Sequence, residues 1–450
     1  MSASVQAAGV DSAIVRRRDW LIIALVGGAH ACSHFFQLVL PTLYLSLAHE
    51  YGYDFAQLGL LASIFFLVSS IGQASSGFVV DRIGPVPVLH FGLICFALSG
   101  LLIAGSTGYA MLVLAAIIGG VGNAVFHPVD YSILNHRVSA RRLGHGFSTH
   151  GLTGNLGWAL APVYMAAFIH WADWRTAAVA ASALVGVVLL LTWLGRDMLS
   201  GRSAAVQGGA LMPDTAATDA QPGAAAQAHA APAAGARGTP TGDLSRRSVG
   251  GTLQALAVQP ALWGAFLFFA FSSIALSAIQ NYTIPMLGTV YGIDKVLAGS
   301  ALSGYMVAGA AGMLAGGFIV SSTPRSEFIV FVTLVLAALC FALLASGWAG
   351  SYMALVFVAM AGFFSGVAGP SRDMLIRRVT PKGATGTVYG LVYSGMDVGA
   401  SLAPVGFGLM LDLGLTRGPW MGAGLSFIAA ALLAVAVGRS AAARTAASPA

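Results

Sequence analysis

Charge is what this sequence has least of. Of its 450 residues only 8% are Asp, Glu, Lys or Arg, against roughly a quarter in an average soluble domain. So few charges cannot cover the surface of a water-soluble globule of this length. A soluble enzyme, a nucleic-acid-binding protein and a disordered scaffold are excluded on that ground. Cysteine is scarce too. Cys32, Cys95 and Cys340 show neither pairing nor metal-ligand spacing, and each sits in an apolar stretch. They read as small core residues, with no disulfide and no metal site expected. No GxxxxGKS/T loop for ATP is present, and no GxSxG or HExxH motif. An ATP-driven pump is thereby excluded, and an intramembrane enzyme using His127 and Asp130 as a catalytic pair loses its support. No catalytic residue and no cofactor is expected.

Apolar residues are abundant instead, at 57%. A helix needs roughly 20 of them in a row to cross a bilayer. Such runs occupy 20–47, 57–80, 86–105, 109–134, 144–170 and 175–194, and recur over 260–288, 297–320, 327–346, 351–376, 384–411 and 418–438. The expected fold is an all-α membrane protein of twelve transmembrane helices in two pseudo-symmetric six-helix bundles, 19–194 and 259–438. Between them, 195–258 is dominated by Ala, Gly, Pro, Ser and Thr without apolar periodicity, which reads as a flexible linker. Residues 1–18 and 439–450 read as tails.

Basic residues orient the bundle. With the N-terminus inside and the linker left out, Arg16, Arg17, Arg18, Arg82, Arg137, Arg141, Arg142, Arg325, Arg377, Arg378, Lys382, Arg439 and Arg444 fall inside. Only Arg175, Lys295 and Arg417 fall outside. Both termini are therefore expected in the cytoplasm. The run Arg16–Arg18 before an apolar stretch imitates a signal peptide, but that stretch is too long and too polar at its middle, so it reads as the first span.

The halves resemble each other. HPVDYSILNHRVSARRLGHGF followed by GNLGWALAPV in the first is answered by GPSRDMLIRRVTPKGATGTVY and GMDVGASLAPV in the second. At an offset of 242, Pro128 matches Pro370, Gly144 matches Gly386, Gly157 matches Gly399 and Pro162 matches Pro404. Two six-span repeats place a substrate site between them near mid-membrane.

Polar side chains inside the spans are the candidates, because they are costly in lipid and face cavities or partners. His30, His34 and Gln37 lie at i, i+4 and i+7 on one face of the first span. Ser273, Ser277, Gln280 and Asn281 form a stripe on the seventh, and Asn123, His127 and Asp130 share a face of the fourth. The offset of 242 carries these last three to Ser365, Gly369 and Arg372. Asp130 and Arg372 can then meet across the pseudo-two-fold axis. Such a pair either holds the halves together or binds an anionic substrate through Arg372 while Asp130 takes up a proton. Asp397, on one face with Tyr389 and Tyr393, is the second candidate proton carrier. His127 has an equally good reading as a hydrogen-bonded packing residue, and His145 and His150 read as structural. Asp373 points away from Arg372 and suits a gating contact. GNLGWALAP and GMDVGASLAP allow close helix approach. The segment Gly77–Gly84, with Asp81, Arg82 and Gly84, reads as a tight cytoplasmic turn acting as a gate latch.

Twelve spans in six plus six, a central linker and GxxxDRxG after the second span resemble the major facilitator superfamily over nearly the whole chain outside the linker. The first half is similar to its fosmidomycin-resistance type through SHFFQLVLPTLY, QLGLLASIFFLVSSIGQ, VFHP at Val125–Pro128, and GNLGWALAP. Three features depart from that pattern. Pro85, Val86 and Pro87 follow GxxxDRxG where basic residues are usual, the second-half counterpart is reduced to GGFIVSSTPR, and Val129 then Asp130 follow VFHP where a glutamate is common. The resemblance implies a multi-pass protein of a bacterial inner membrane, a monomer, whose partners are a small and anionic substrate, protons and the bilayer. The implied activity is proton-coupled export of a small organic anion or drug by alternating access. Import of a carboxylate by symport is the alternative, and a transporter-like sensor is the alternative of another class.

Overall fold

A computed structural model describes residues 13–200, 259–322, 325–379 and 385–446. Among them every regular element is a helix. The first half runs α1 (Ala13–Tyr51), α2 (Phe55–Ile83), α3 (Pro85–Ala104), α4 (Tyr109–Asn123), α5 (Phe126–Arg137), α6 (Ala140–Trp171), α7 (Trp174–Leu194) and a short α8 (Arg196–Ser200). The second runs α9 (Pro260–Tyr291), α10 (Lys295–Ser322), α11 (Ser326–Ser346), α12 (Ser351–Val379), α13 (Thr385–Asp412) and α14 (Gly418–Ala446). With α4 and α5 taken as one interrupted span, twelve helical segments are long and apolar enough to cross a membrane.

Each half packs as a bundle. In the first, α1 lies on α6, α3 on α4 and α7, and α2 on α4; in the second, α9 lies on α13 and α14, α10 on α12, and α11 on α12 and α14. The halves meet where α2 faces α13, α6 faces α10 and α1 faces α9.

Glycine sets the closeness of these contacts. A side chain at Gly157 would strike the Ala31 carbonyl of α1, and one at Gly399 would strike Ala270 and Ser273 of α9. The repeat-equivalent glycines thus do the same work, bringing α6 onto α1 and α13 onto α9. Gly312 and Gly316 of α10 meet Phe363 and Val367 of α12 in the same backbone-to-backbone manner, the small-residue packing that lipid-embedded helices favour.

The repeat also governs turns. YGYD at Tyr51–Asp54 and YGID at Tyr291–Asp294 lie 240 residues apart. Gly52 and Gly292 both adopt left-handed φ, 71° and 65°, ending α1 and α9 with the conformation only glycine takes without cost. Asp54 then caps α2 at Gln57 N (2.7 Å), and Asp294 caps α10 at Val296 N (2.9 Å) and Leu297 N (3.0 Å). Asp173 caps α7, and the Thr176 backbone N–H holds its carboxyl below the usual carboxylate range.

Several boundaries differ from the sequence expectation. α1 begins at Ala13, inside the expected tail 1–18, because Asp19 is fully buried there, accepting from Arg142 Nε (3.0 Å) and Ser139 Oγ (2.6 Å). α14 continues to Ala446, beyond 438. Gly77, Asp81 and Arg82 belong to the last turns of α2, and only Gly84, at φ 85°, makes the turn. Of the expected linker, Arg196–Ser200 is helical and 201–258 lies outside the described residues, as does Lys382. The fourth span breaks at Ala124–Val125. Pro128 has no N–H for the Ala124 carbonyl four residues back, and the Ser76 hydroxyl of α2 donates to that oxygen instead (3.1 Å).

Candidate functional site

The break in the fourth span aims α5 at α1 and α6. His30, His34 and Gln37 line the inner face of α1; His150, Gly154 and Gly157 repeat the same spacing on α6. Gly154 carries no side chain, and one placed there would sit about 3 Å from His34 Cε1 and His30 Nε2. Its absence lets the two imidazoles reach across to α5.

Four imidazoles gather around one carboxylate. Asp130 is fully buried, and its Oδ2 lies 3.1 Å from His150 Nε2, in hydrogen-bonding geometry, and 3.0 Å from His30 Nδ1, off the line of a hydrogen bond. The rings of His30 and His150 stack at 3.5 Å, while those of His34 and His127 lie 4.6 and 5.3 Å from His30. His127 is the exposed member. Asp130 Oδ1 and His34 Nδ1 are buried without a hydrogen-bond partner.

One turn away is a closed network of amides. Asn123 Oδ1 accepts from Ser33 Oγ (2.8 Å) and Gln37 Nε2 (3.2 Å), and its Nδ2 donates to Ser69 Oγ (2.8 Å). Trp158 Nε1 donates to Gln37 Oε1 (2.9 Å). The network ties α1, α2, α4 and α6 together directly behind the imidazoles.

The second half contributes different groups. Arg372 is half-buried with its guanidinium 5.1 Å above the Phe269 ring of α9. Gln280 Nε2 is buried with no hydrogen-bond partner. Asn281 donates to the Ser277 carbonyl (2.8 Å) and accepts from Tyr44 of α1 (2.9 Å), which makes it a link between halves. Asp397 faces the Ser70 hydroxyl of α2. The side chains of Tyr393, Tyr389 and Asp373 lie outside the described residues. The structure therefore gathers His30, His34, His127 and Asp130 in one cluster, with Gln37 and Asn123 adjoining. It places Arg372, Gln280, Asn281 and Asp397 on the facing bundle. Asp130 has its partners, His150 and His30, within its own bundle.

At the end away from the described termini the halves are joined. Asp412 of α13 accepts from the N–H groups of Phe55 (2.8 Å) and Ala56 (2.7 Å), the first residues of α2. Tyr282 of α9 donates to the Phe55 carbonyl (3.3 Å) and contacts the Pro404 carbonyl. A cavity of about 290 Å³ lies at the same end, lined by Thr42, Ser46, Pro162, His170, Ile284 and Lys295, and shares no residue with the histidine cluster.

Sequence reasoning missed His150, Trp158, Ser33, Ser69 and Asp412. His150 had a readable signal: it stands at i−4 and i−7 from Gly154 and Gly157, the face marked for close approach. Asp412 had none, since its partners are distant in sequence and on the other bundle.

The profile of the Major Facilitator Superfamily matches residues 23–353 and 266–450. The chain belongs to the major facilitator superfamily. With twelve helical segments long and apolar enough to cross a membrane among the described residues, it is a multi-pass membrane protein. It is 30% identical over 177 residues to the fosmidomycin resistance protein of Escherichia coli K12, a match spanning 39% of this chain and 43% of that protein. It is 23% identical over 377 residues to a probable L-galactonate transporter of the same strain, covering 82% and 78%. The fold is similar to that of a bacterial homologue of the human lysosomal transporter Spinster, with TM-score 0.65, 15% identity and coverage of 95% and 97%. Against several of the curated relatives it matches, this superfamily member aligns over less than half of their length.

Proposed function

We propose that this protein is a proton-coupled secondary transporter that exports a small organic anion, of which fosmidomycin is the first to test. Both termini lie in the cytoplasm, residues 201–258 link two rocking bundles, and the monomer is the working unit. The observation that carries this reading is a fully buried carboxylate, Asp130, held by His150 and His30 beside the exposed His127. A carboxylate and imidazoles within 3.1 Å can pass a proton with little rearrangement. Buried ionisable groups of this kind mark proton relays in membrane proteins.

The substrate anion sits between the halves. Arg372 supplies the charge, Gln280 offers an unpartnered amide N–H, and His34 and His127 complete the wall; Tyr393, whose side chain lies outside the described residues, is the further candidate. Gln37 and Asn123 hold that wall in register, because their own hydrogen-bonding groups are engaged with one another. Asp397 at the face between α13 and α2 is the second proton carrier, and Asn281 and Asp412 latch the end opposite the termini. Gly84, with Gly77, Asp81 and Arg82 before it, forms the latch at the other end. Rocking of one bundle on the other exposes the site alternately to each side.

The test is resistance in a fosmidomycin-sensitive bacterium. Wild type raises the inhibitory concentration and Asp130→Asn, present in the membrane at equal level, does not. Equal protection by both contradicts the role of Asp130, and no protection by either removes fosmidomycin as substrate. The similarity to a probable L-galactonate transporter over most of the chain favours one second reading, symport of a sugar acid or other carboxylate into the cell. Uptake of labelled L-galactonate driven by an inward proton gradient separates the two.

A further inference from the structure

His30, His127 and His150 come from three different helices, yet one ring nitrogen of each lies within 4.8 Å of the other two. We propose that these three histidines form a binding site for a divalent metal ion of the zinc class. The inference goes beyond the transport reading and does not depend on it.

The chemistry of the cluster selects a cation. A neutral imidazole has one N–H and one lone pair. Asp130 Oδ2 hydrogen-bonds with His150 Nε2, whereas His30 Nδ1, 3.0 Å from the same oxygen, is buried without a hydrogen-bond partner. His34 Nδ1 is buried beside them without a partner. A buried acceptor with no donor carries a desolvation cost, and converging lone pairs on imidazole suit a borderline-soft cation such as zinc.

The second layer is also in place. Metal-bound histidines characteristically give their remaining N–H to a carboxylate, which fixes ring orientation and raises ligand basicity. Asp130 stands in that position for His150. Zinc–nitrogen bonds of 2.0–2.1 Å put tetrahedral ligand atoms about 3.4 Å apart, against the 4.8 Å within which the three nitrogens lie here. Three protein ligands leave the fourth position to water or an oxyanion. His127 is the exposed ring of the three, so that position is reached from its side.

The test uses the full chain purified in detergent without a histidine tag and stripped by a chelator. Zinc is titrated against a chromophoric chelator with no substrate and no gradient present, so its outcome is separate from that of any transport assay. Wild type binds one equivalent. His127→Gln and His150→Gln each weaken binding at least tenfold, and Asp130→Asn weakens it by about 10–100-fold. His170→Gln, in the far-end cavity, changes nothing. Magnesium does not compete, since it prefers oxygen ligands. Cobalt gives wild type a visible absorption band that His127→Gln lacks. Because the exposed His127 is not part of the buried packing, His127→Gln tests the site without endangering the fold; its unchanged thermal midpoint without zinc, and its loss of the zinc-induced rise, are the expected control. Absence of stoichiometric zinc binding by folded wild type, or affinity unchanged in His127→Gln, overturns the proposal.

Discussion

The two halves of this transporter use the same scaffold for different purposes. Glycines at equivalent positions bring α6 onto α1 and α13 onto α9, and the same tyrosine–glycine–aspartate turn closes the first span of each half. The polar interiors have nothing in common. Asn123, His127, Asp130 and His150 of the first half correspond to Ser365, Gly369, Arg372 and Val392 of the second. Duplication preserves what packing requires, and the site has diverged where the halves face each other. In the proposed mechanism one half holds the exchangeable protons and the other presents the fixed cation.

The largest effect expected from breaking this asymmetry is at His150. His150→Gln abolishes proton-driven accumulation in vesicles, while Val392→Ala at the equivalent position leaves coupling intact. Equal losses would mean the halves share the coupling work. Packing, by contrast, is shared. Gly157→Val and Gly399→Val each overpack a backbone contact and destabilise by about 1–3 kcal/mol, read as a lowered thermal midpoint in detergent. A drop in only one of them would break the packing symmetry.

Asn123→Ala strands the hydrogen-bonding groups of Ser33, Gln37 and Ser69 at a cost of about 1–3 kcal/mol. Ser365→Ala removes only the contact with Tyr305 and a carbonyl of its own helix, with a loss of about 0.5–1.5 kcal/mol. Comparable chemical-denaturation shifts would show that the amide network adds no order to the site. The contact between the halves is read separately, at the latch. Asp412→Ala removes a carboxylate from the positive end of α2, about 1–2 kcal/mol, and raises cysteine-labelling rates at far-end positions by roughly 5–30-fold. Unchanged labelling would mean other contacts hold that end shut.

Most of the fold was legible because lipid imposes long apolar helices and the offset of 242 carries the pairing of halves. The break at Ala124–Val125 was not, although Pro128 was visible. Proline inside a span is tolerated where a neighbour takes the freed carbonyl, and that neighbour, Ser76, is 48 residues away on α2. The break is what the repeat register does not carry. α5 restarts after the break, and on it Asp130 meets His30 and His150. His30, His34 and Gln37 were legible from spacing alone. His150 was lost because a single histidine near a span end carries no pattern until its glycine neighbours are read with it. The Asp412 contact crosses 356 and 357 residues of chain to Ala56 and Phe55, and no local signal encodes it.

The most direct test of the account is transport in proteoliposomes under an imposed proton gradient, with counterflow exchange measured in parallel for wild type and Asp130→Asn. The account predicts that wild type concentrates the anion against its gradient, whereas Asp130→Asn exchanges it at equilibrium and concentrates none. Accumulation by Asp130→Asn at the wild-type level would contradict the claim that the first half carries the coupling proton.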